Sequence, residues 1–264
     1  MYAFTYHQPA NLSGAVEQLA TEDSKALAGG QTLLPTMKQR LASPASLVDL
    51  GKVSELAGIS REGDEIVIGA MTRHADVATN ATVHQAIPAL AALAGWIGDP
   101  AVRSRGTIGG SLANNDPAAD YPAAALALAA TIVTNKREVA AEAFFKGLFE
   151  TALEPGEIIT KVRFPIPQKA AYEKFRNPAS RFALVGVFVA KTAGGVRVAV
   201  TGAGSEGVFR SKPVEAALAA NFAADALKGV TVPAEGLNTD LHADAAYRAH
   251  LIVVLAKRAV AAAG

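Results

Sequence analysis

The pattern of apolar residues changes character at Pro165-Ile-Pro167, and that change divides the chain into two kinds of fold. Ahead of it, strand-like runs alternate with helical stretches. Gly14–Ala20 reads as a helix, Lys25–Ala28 as a strand ending at Gly29-Gly30, Leu33–Leu41 as a helix and Leu47–Leu50 as a second strand. This is the order of a small α/β unit with a parallel crossover. Ile66–Ala70 follows as a strand, then a helical stretch holding His74 to Ala78, a helix from Ile87 to Trp96 that stops at Gly98-Asp99-Pro100, a glycine-rich loop at Gly106–Ser111, an alanine helix, and strands at Thr131–Thr134 and Ile158–Phe164. Beyond Pro167 the period becomes two. Val196, Val198 and Val200 alternate with Arg197, Ala199 and Thr201, as in a half-buried antiparallel strand, and Phe182–Ala190 is its partner across Gly194-Gly195. Helices near Val214–Ala220 and Asp244–Ala262 close the chain. The expected fold class is α+β, with a domain boundary near Ala170.

Composition removes several function classes. The 264 residues include no cysteine, so disulfides, thiol nucleophiles and Cys-ligated zinc or iron–sulfur clusters are excluded on this chain. Net charge is +1 and no stripe of lysine and arginine forms, which leaves no electrostatic footprint for nucleic acid or a membrane surface. The richest apolar run, Tyr121–Val133, carries Pro122 and is mostly alanine, short of the ~18–20 apolar residues that span a bilayer. The N-terminus lacks the basic start and apolar stretch of a signal peptide, so the expected location is cytoplasmic. The five histidines are scattered without metal-ligand spacing, and no nucleophile elbow or phosphate-loop Gly-Lys-Ser/Thr occurs.

Two segments carry the chemistry: Ala28-Gly29-Gly30-Gln31-Thr32 and Thr107-Ile108-Gly109-Gly110-Ser111. Each sets paired glycines beside a hydroxyl side chain. Glycine tolerates positive φ and leaves its N–H open, and a run of such N–H groups makes a concave anion site. The first segment also opens a helix, whose N-terminus favours a phosphate. Two such segments would hold a pyrophosphate from opposite sides. Read alone, a double glycine after a strand is more often a plain turn.

The wider context narrows the choice. Ala28–Pro35 with Met37–Leu41 and Leu47–Leu50, then Arg103–Ala113 continuing to Asp116–Asp120, then Glu154–Ile159, then Tyr172–Phe175 with Ser180–Ala183, resemble in order four signatures of the FAD subunits of molybdenum hydroxylases, the xanthine dehydrogenase and aerobic carbon monoxide dehydrogenase family. The resemblance covers nearly the whole chain. It implies the FAD-binding fold of the vanillyl-alcohol oxidase type over residues 1–170, in subdomains of about 1–55 and 56–170, and a C-terminal antiparallel sheet-and-helix domain over 171–264.

Carried onto this chain, the resemblance implies that Ala28, Gly29, Gly30, Gln31 and Thr32 line the FAD diphosphate, with Thr107, Gly109, Gly110 and Ser111 gripping it from the second segment. Ala113 would lie near the flavin ring. Asp120 would bind the adenosine side, and it also reads as an N-terminal charge on the alanine helix, a role compatible with the first. Ile159 would pack on the adenine or the ring system, and Lys174 would approach the flavin's polar edge. Tyr172 would cover the isoalloxazine, though it reads equally as an ordinary strand aromatic. Leu33, Ile108 and Asp116 complete the set. No catalytic acid, base or metal ligand is implied. A large molybdenum-cofactor subunit and a small subunit with a pair of 2Fe–2S clusters are the implied partners, in a dimer of heterotrimers. The substrate (aldehyde, N-heterocycle, purine or carbon monoxide) and the final electron acceptor stay open.

Two other readings start from the same residues. One is a stand-alone FAD oxidoreductase of the same fold, although no cluster of catalytic groups follows residue 170. The other is a subunit that has kept the fold and lost the cofactor, against which the intact glycine pairs speak. Gly202-Ala-Gly204-Ser-Glu-Gly207 formally matches a dinucleotide fingerprint, but Arg210-Ser-Lys-Pro213 delays the next helix, so it reads as a loop.

Overall fold

The computed structural model describes residues 1–263. The chain begins with β1 (Thr5–His7), α1 (Leu12–Leu19), β2 (Ser24–Leu27), α2 (Leu33–Lys38) and β3 (Ser46–Asp49). Asn11 starts α1 by accepting the Gly14 N–H at 2.9 Å, and the helix buries Ala15 against β3. Both β1 and β2 pair parallel with β3, so the order is β1-β3-β2, the expected parallel crossover unit. Central β3 is the most buried strand of the three, with Leu47 and Val48 in the interior.

The next part holds β4 (Ile59–Glu62), β5 (Glu65–Gly69), α3 (His74–Thr79), α4 (Ala81–Ala86), α5 (Pro88–Gly95), α6 (Pro100–Arg103), α7 (Ile108–Asn114) and α8 (Tyr121–Ala127). It continues through β6 (Thr131–Thr134), β7 (Glu138–Ala140), α9 (Ala141–Phe144), β8 (Phe145–Gly147), β9 (Glu150–Thr151) and β10 (Ile159–Pro165). Five of these strands form an antiparallel sheet in the order β4-β5-β10-β6-β7. Its apolar face, with Ile66, Ile68, Ile132, Val162 and Phe164, packs under the helices. Helix α8 is short and wholly buried, which explains its composition: alanines let a helix approach its neighbours closely.

The remainder is β11 (Lys169–Arg176), β12 (Ala183–Thr192), β13 (Gly195–Thr201), β14 (Phe209–Arg210), α10 (Lys212–Ala220) and α11 (Ala245–Ala262). The four strands make an antiparallel sheet in chain order. The expected half-buried strand differs in one respect. One face, with Tyr172, Phe188, Ala190 and Ala199, joins the core around α5 and α8, while Val187, Val189, Val198 and Val200 on the other face pack against α11. Most of β12 and the end of β13 therefore lie buried on both sides. The period-two signal fails there because Ala199 and Thr201 are small enough to be covered too. The second sheet ends at Pro165 and the third begins at Lys169, yet one hydrophobic core runs across that junction. The Gly202–Gly207 segment is a loop, and α10 begins only at Lys212.

Candidate functional site

The first glycine segment leaves the carboxyl end of β2, where open α/β units place their ligands. Gly30 has φ of 72°, a left-handed turn that aims the chain into α2. Thr32 occupies the N-cap position without capping through its side chain. Among the described residues, the N–H groups of Gly29, Gly30, Gln31, Thr32 and Leu33 have no acceptor. The Gln31 side chain folds back, its Nε2 donating to the Gly29 carbonyl at 3.2 Å. Gln31 and Thr32 are exposed, and Leu33 is half-buried. The result is a short row of open donors at a helix start.

The two glycine segments touch. A Cβ built on Gly29 would lie 2.2 Å from the Arg105 carbonyl oxygen and 2.7 Å from Gly106 Cα. A Cβ on Gly110 would lie 3.4 Å from the Ala28 Cβ. Ala28, after β2, and Gly110, in α7, thus face each other.

The second segment differs from the loop expected at Gly106–Ser111. Thr107 caps a helix: its Oγ1 accepts the Gly110 N–H at 3.2 Å, and Ile108, Gly109, Gly110 and Ser111 form the opening of α7. The Ile108 N–H donates to the Thr72 carbonyl at 3.1 Å and the Gly109 N–H to the Ala70 carbonyl at 2.8 Å. Those two donors are therefore closed to a ligand. Gly109 is buried because α7 rests directly on the end of β5; a Cβ there would meet the Ala70 Cβ at 2.5 Å. Ser111 is half-buried and Ala113 exposed on the same helix. Asp116 follows in a turn, accepting the Ala118 N–H at 2.8 Å, and burial raises its carboxyl above the usual range.

Asp120, Tyr172 and Lys174 come together elsewhere. Asp120 is 4 % exposed and accepts from the Tyr172 hydroxyl at 2.5 Å and from Lys174 Nζ at 2.9 Å. Lys174 Nζ also donates to the Trp96 carbonyl at 3.3 Å. Burial raises the Asp120 carboxyl, and Lys174 and Tyr172 oppose that rise. Burial and the adjacent carboxylate push the Tyr172 phenol well up. The trio ties the start of α8 to β11, with its polar groups directed at one another. Tyr172 is packed between Trp96 and Phe188, at ring-centroid distances of 6.0 Å to each. Ile159 is buried at the start of β10, in the same core as Ile108 and Tyr121.

A cleft of about 630 Å³ opens between the parallel unit and the second sheet, within the size range of cofactor sites. Ala28, Gly29 and Thr107 line it, together with Asp49, Arg73 and Arg105. Those last three do not stand out as site residues in the sequence read alone. Asp49 carried a findable signal, since it ends a parallel strand beside the first glycine segment. It accepts from the Tyr6 hydroxyl, from Gln8 Nε2 at 2.9 Å and from the Gly51 N–H at 2.8 Å. Burial raises its pKa, but these hydrogen bonds and the Arg105 charge outweigh that effect and hold the carboxyl below the usual range.

His74 backs the second segment. Its ring would lie 2.6 Å from a Cβ at Gly106, and it packs on Tyr121 at 5.4 Å. Burial, with Arg103 nearby, lowers its pKa to about 4, so the imidazole is neutral at physiological pH.

The family described as FAD binding domain in molybdopterin dehydrogenase matches residues 2–167. The carbon monoxide dehydrogenase medium chain of Hydrogenophaga pseudoflava is 37% identical, over 98% of this chain and 96% of that protein. The nicotine 6-hydroxylase medium subunit of Paenarthrobacter nicotinovorans is 34% identical, over 99% of this chain and 98% of that one. In three dimensions, a chain of the reconstituted CO dehydrogenase from Oligotropha carboxidovorans matches with a TM-score of 0.90 at 33% identity, covering 99% of this chain and 98% of that chain. Both glycine segments fall inside the matched region, and the likeness continues through the C-terminal sheet and helices. The chain belongs to the family of FAD-binding medium chains of the molybdopterin dehydrogenases.

Proposed function

We propose that this chain is the FAD-carrying electron-transfer subunit of a molybdenum-dependent hydroxylase or dehydrogenase. It receives electrons from 2Fe–2S clusters on a small partner and passes them to an external acceptor, while the substrate is oxidised on a large molybdenum-cofactor partner. The observation that carries the reading is the row of open N–H groups from Gly29 to Leu33, set against Thr107 and Gly110 of the second segment. That row suits a diphosphate, which needs several donors and no intervening Cβ.

In this reading Ala28, Gly29, Gly30, Gln31, Thr32 and Leu33 hold the diphosphate by backbone donors, and the Thr107 and Ser111 hydroxyls face it from α7. Ile108 and Gly109 act indirectly by seating α7 on β5, so that Gly110 meets Ala28. Ala113 and Asp116 border the flavin. Ile159 acts indirectly, through the core it shares with Ile108 behind α7. Asp120, Tyr172 and Lys174 lie outside the cleft and bond one another, so they act indirectly by tying the start of α8 to β11. Bound FAD supplies the redox chemistry, accepting electrons singly and delivering them in pairs. The protein's part is to bind and orient it. The family's vanillyl-alcohol oxidase type of fold, with FAD between two subdomains, agrees with a cleft at that junction.

The test is to purify the native complex through a tag on this chain, record its absorption spectrum, and identify the flavin released by acid. FAD with iron–sulfur absorption and two co-purifying subunits is the expected result. FAD without partners would replace the reading with a stand-alone oxidoreductase, and a flavin-free complex would overturn it.

A further inference from the structure

The third sheet carries a second cavity, of about 260 Å³, which shares no lining residue with the cleft of the glycine segments. It lies where the β11–β12 turn, the start of β12 and the loop before α11 meet Pro117. Phe182, Leu184 and Pro117 give it apolar walls, while Asn177, Ser180 and Arg248 bring polar groups to it. Its volume is just under the ~300 Å³ at which pockets for drug-sized ligands begin, so it admits a single ring or a short chain and no nucleotide.

Arg248, on α11, is 2 % exposed. Its Nη1 donates to the Leu184 carbonyl at 2.6 Å and the Gly202 carbonyl at 3.0 Å, and its Nη2 to Asp240 at 2.7 Å. Its Nε–H is buried and has no acceptor among the described residues. Buried donors are rarely left so, which marks this one as made for an acceptor the chain does not itself supply. The rest of the lining also has donors to spare. Asn177 Oδ1 already accepts the N–H groups of Ala179 at 2.9 Å and Ser180 at 3.2 Å, which leaves its Nδ2 to donate. Ser180 Oγ accepts the Phe182 N–H at 3.3 Å and keeps its hydroxyl proton. Asp240 is spent: the N–H groups of His242 and Ala243 take Oδ1, and Arg248 takes Oδ2. Asn238 offsets these donors with one acceptor, its Oδ1, because its Nδ2 donates to the Gly204 carbonyl at 3.1 Å.

We propose that this cavity is a binding site for a small monocarboxylate with an apolar body. The carboxylate accepts from Arg248 Nε, Asn177 Nδ2 and the Ser180 hydroxyl, and the body rests on Phe182, Leu184 and Pro117. An ionised acceptor suits this lining better than a neutral one, because hydrogen bonds to a charged partner are about twice as strong. With Asp240 already satisfied, Arg248 is the charge that the ligand meets. A bound carboxylate would thereby tie the β11–β12 turn to α11.

The experiment is calorimetric titration of the full chain with sodium benzoate, at an ionic strength held constant with sodium chloride. One saturable site per chain is expected, with benzamide, which has the same ring and no charge, at least about tenfold weaker. Replacing Arg248 would leave two buried carbonyls without their donor, so the variants are made at the rim. Asn177→Asp keeps the oxygen that holds the turn and exchanges the Nδ2 donor for an anionic oxygen. It should weaken benzoate at least about tenfold while the thermal unfolding midpoint stays at the wild-type value. Ser180→Ala, at an exposed residue, should weaken it by about threefold. No saturable binding of benzoate would show that water alone satisfies Arg248 and would overturn the site. Equal binding of benzamide, or tighter binding of inorganic phosphate, would overturn the carboxylate class. Wild-type benzoate affinity in both variants would place the ligand elsewhere on the chain.

Discussion

The two glycine segments look alike in sequence and do different work in the structure. At Gly29–Leu33 the backbone turns through a left-handed glycine and leaves its donors open. At Thr107–Ser111 the glycines let a helix settle onto β5, and the Ile108 and Gly109 N–H groups are taken by carbonyls of that neighbouring segment. The same absence of Cβ serves access to a ligand in one case and close packing in the other. The lesson is that a glycine motif acquires its meaning from where its N–H groups go.

Substitution should separate the two roles. The largest effect on stability is expected from Gly109→Val, whose side chain would enter space held by Ala70 in a buried site. Overpacking of this kind destabilises by about 1–3 kcal/mol, read as a lowered unfolding midpoint in denaturant. An unchanged midpoint would show that α7 can lift from β5 freely, and the contrast between the segments would collapse. Gly29→Ala should act on the cofactor instead. Its Cβ must push the half-buried first segment off Arg105, displacing the open donors, while little core is disturbed. A tenfold or greater weakening of FAD binding, about 1.4 kcal/mol, is expected with a small change in midpoint. If FAD affinity stayed at the wild-type value, the first segment would not be the diphosphate site.

The smallest effect sharpens the comparison through pH. His74, lying behind Gly106, has its folded-state pKa lowered from 6.5 to about 4. Its neutral form is the one that folds, so its contribution to stability is complete above about pH 6.5 and is lost as pH falls toward 4. Over that window unfolding should become easier by at most about 1.4 kcal/mol per pH unit. His74→Gln should flatten this limb of a stability–pH curve. A limb of equal slope in the variant would assign the acid sensitivity to other groups.

Much of the fold was legible because local chemistry and tertiary context agree. Strand β6 falls where Thr131–Thr134 reads as a strand, and the long helix α11 begins behind its Asp244 cap as its pattern suggests. The crossover unit follows from alternation of short apolar runs with helical ones. Strand β1 leaves no signal in the sequence because three residues carry too little pattern. Helix α7 reads as a loop in the sequence because two adjacent glycines disfavour a helix by about 1 kcal/mol each. Its N-cap threonine and its seat on Ala70 prevail over that preference. For the site, residue identity marked the two segments but could not reveal their contact. Nor could it pair Asp120 with Lys174, 54 positions away, because that meeting depends on how β11 lies against α8.

That pairing makes the chain indivisible. Were the protein cut after residue 170, the first fragment would keep Asp120 in an apolar setting without its cation, and it would expose the surface on which Tyr172, Phe188 and Ala199 rest. The second fragment would carry Lys174 and a sheet bare on one side. The sheet that follows Pro167 is thus better regarded as a wedge than as an appendage. Exchange of this region between relatives should succeed only when the carboxylate and the lysine travel together, so the two parts of the chain are constrained to change as one.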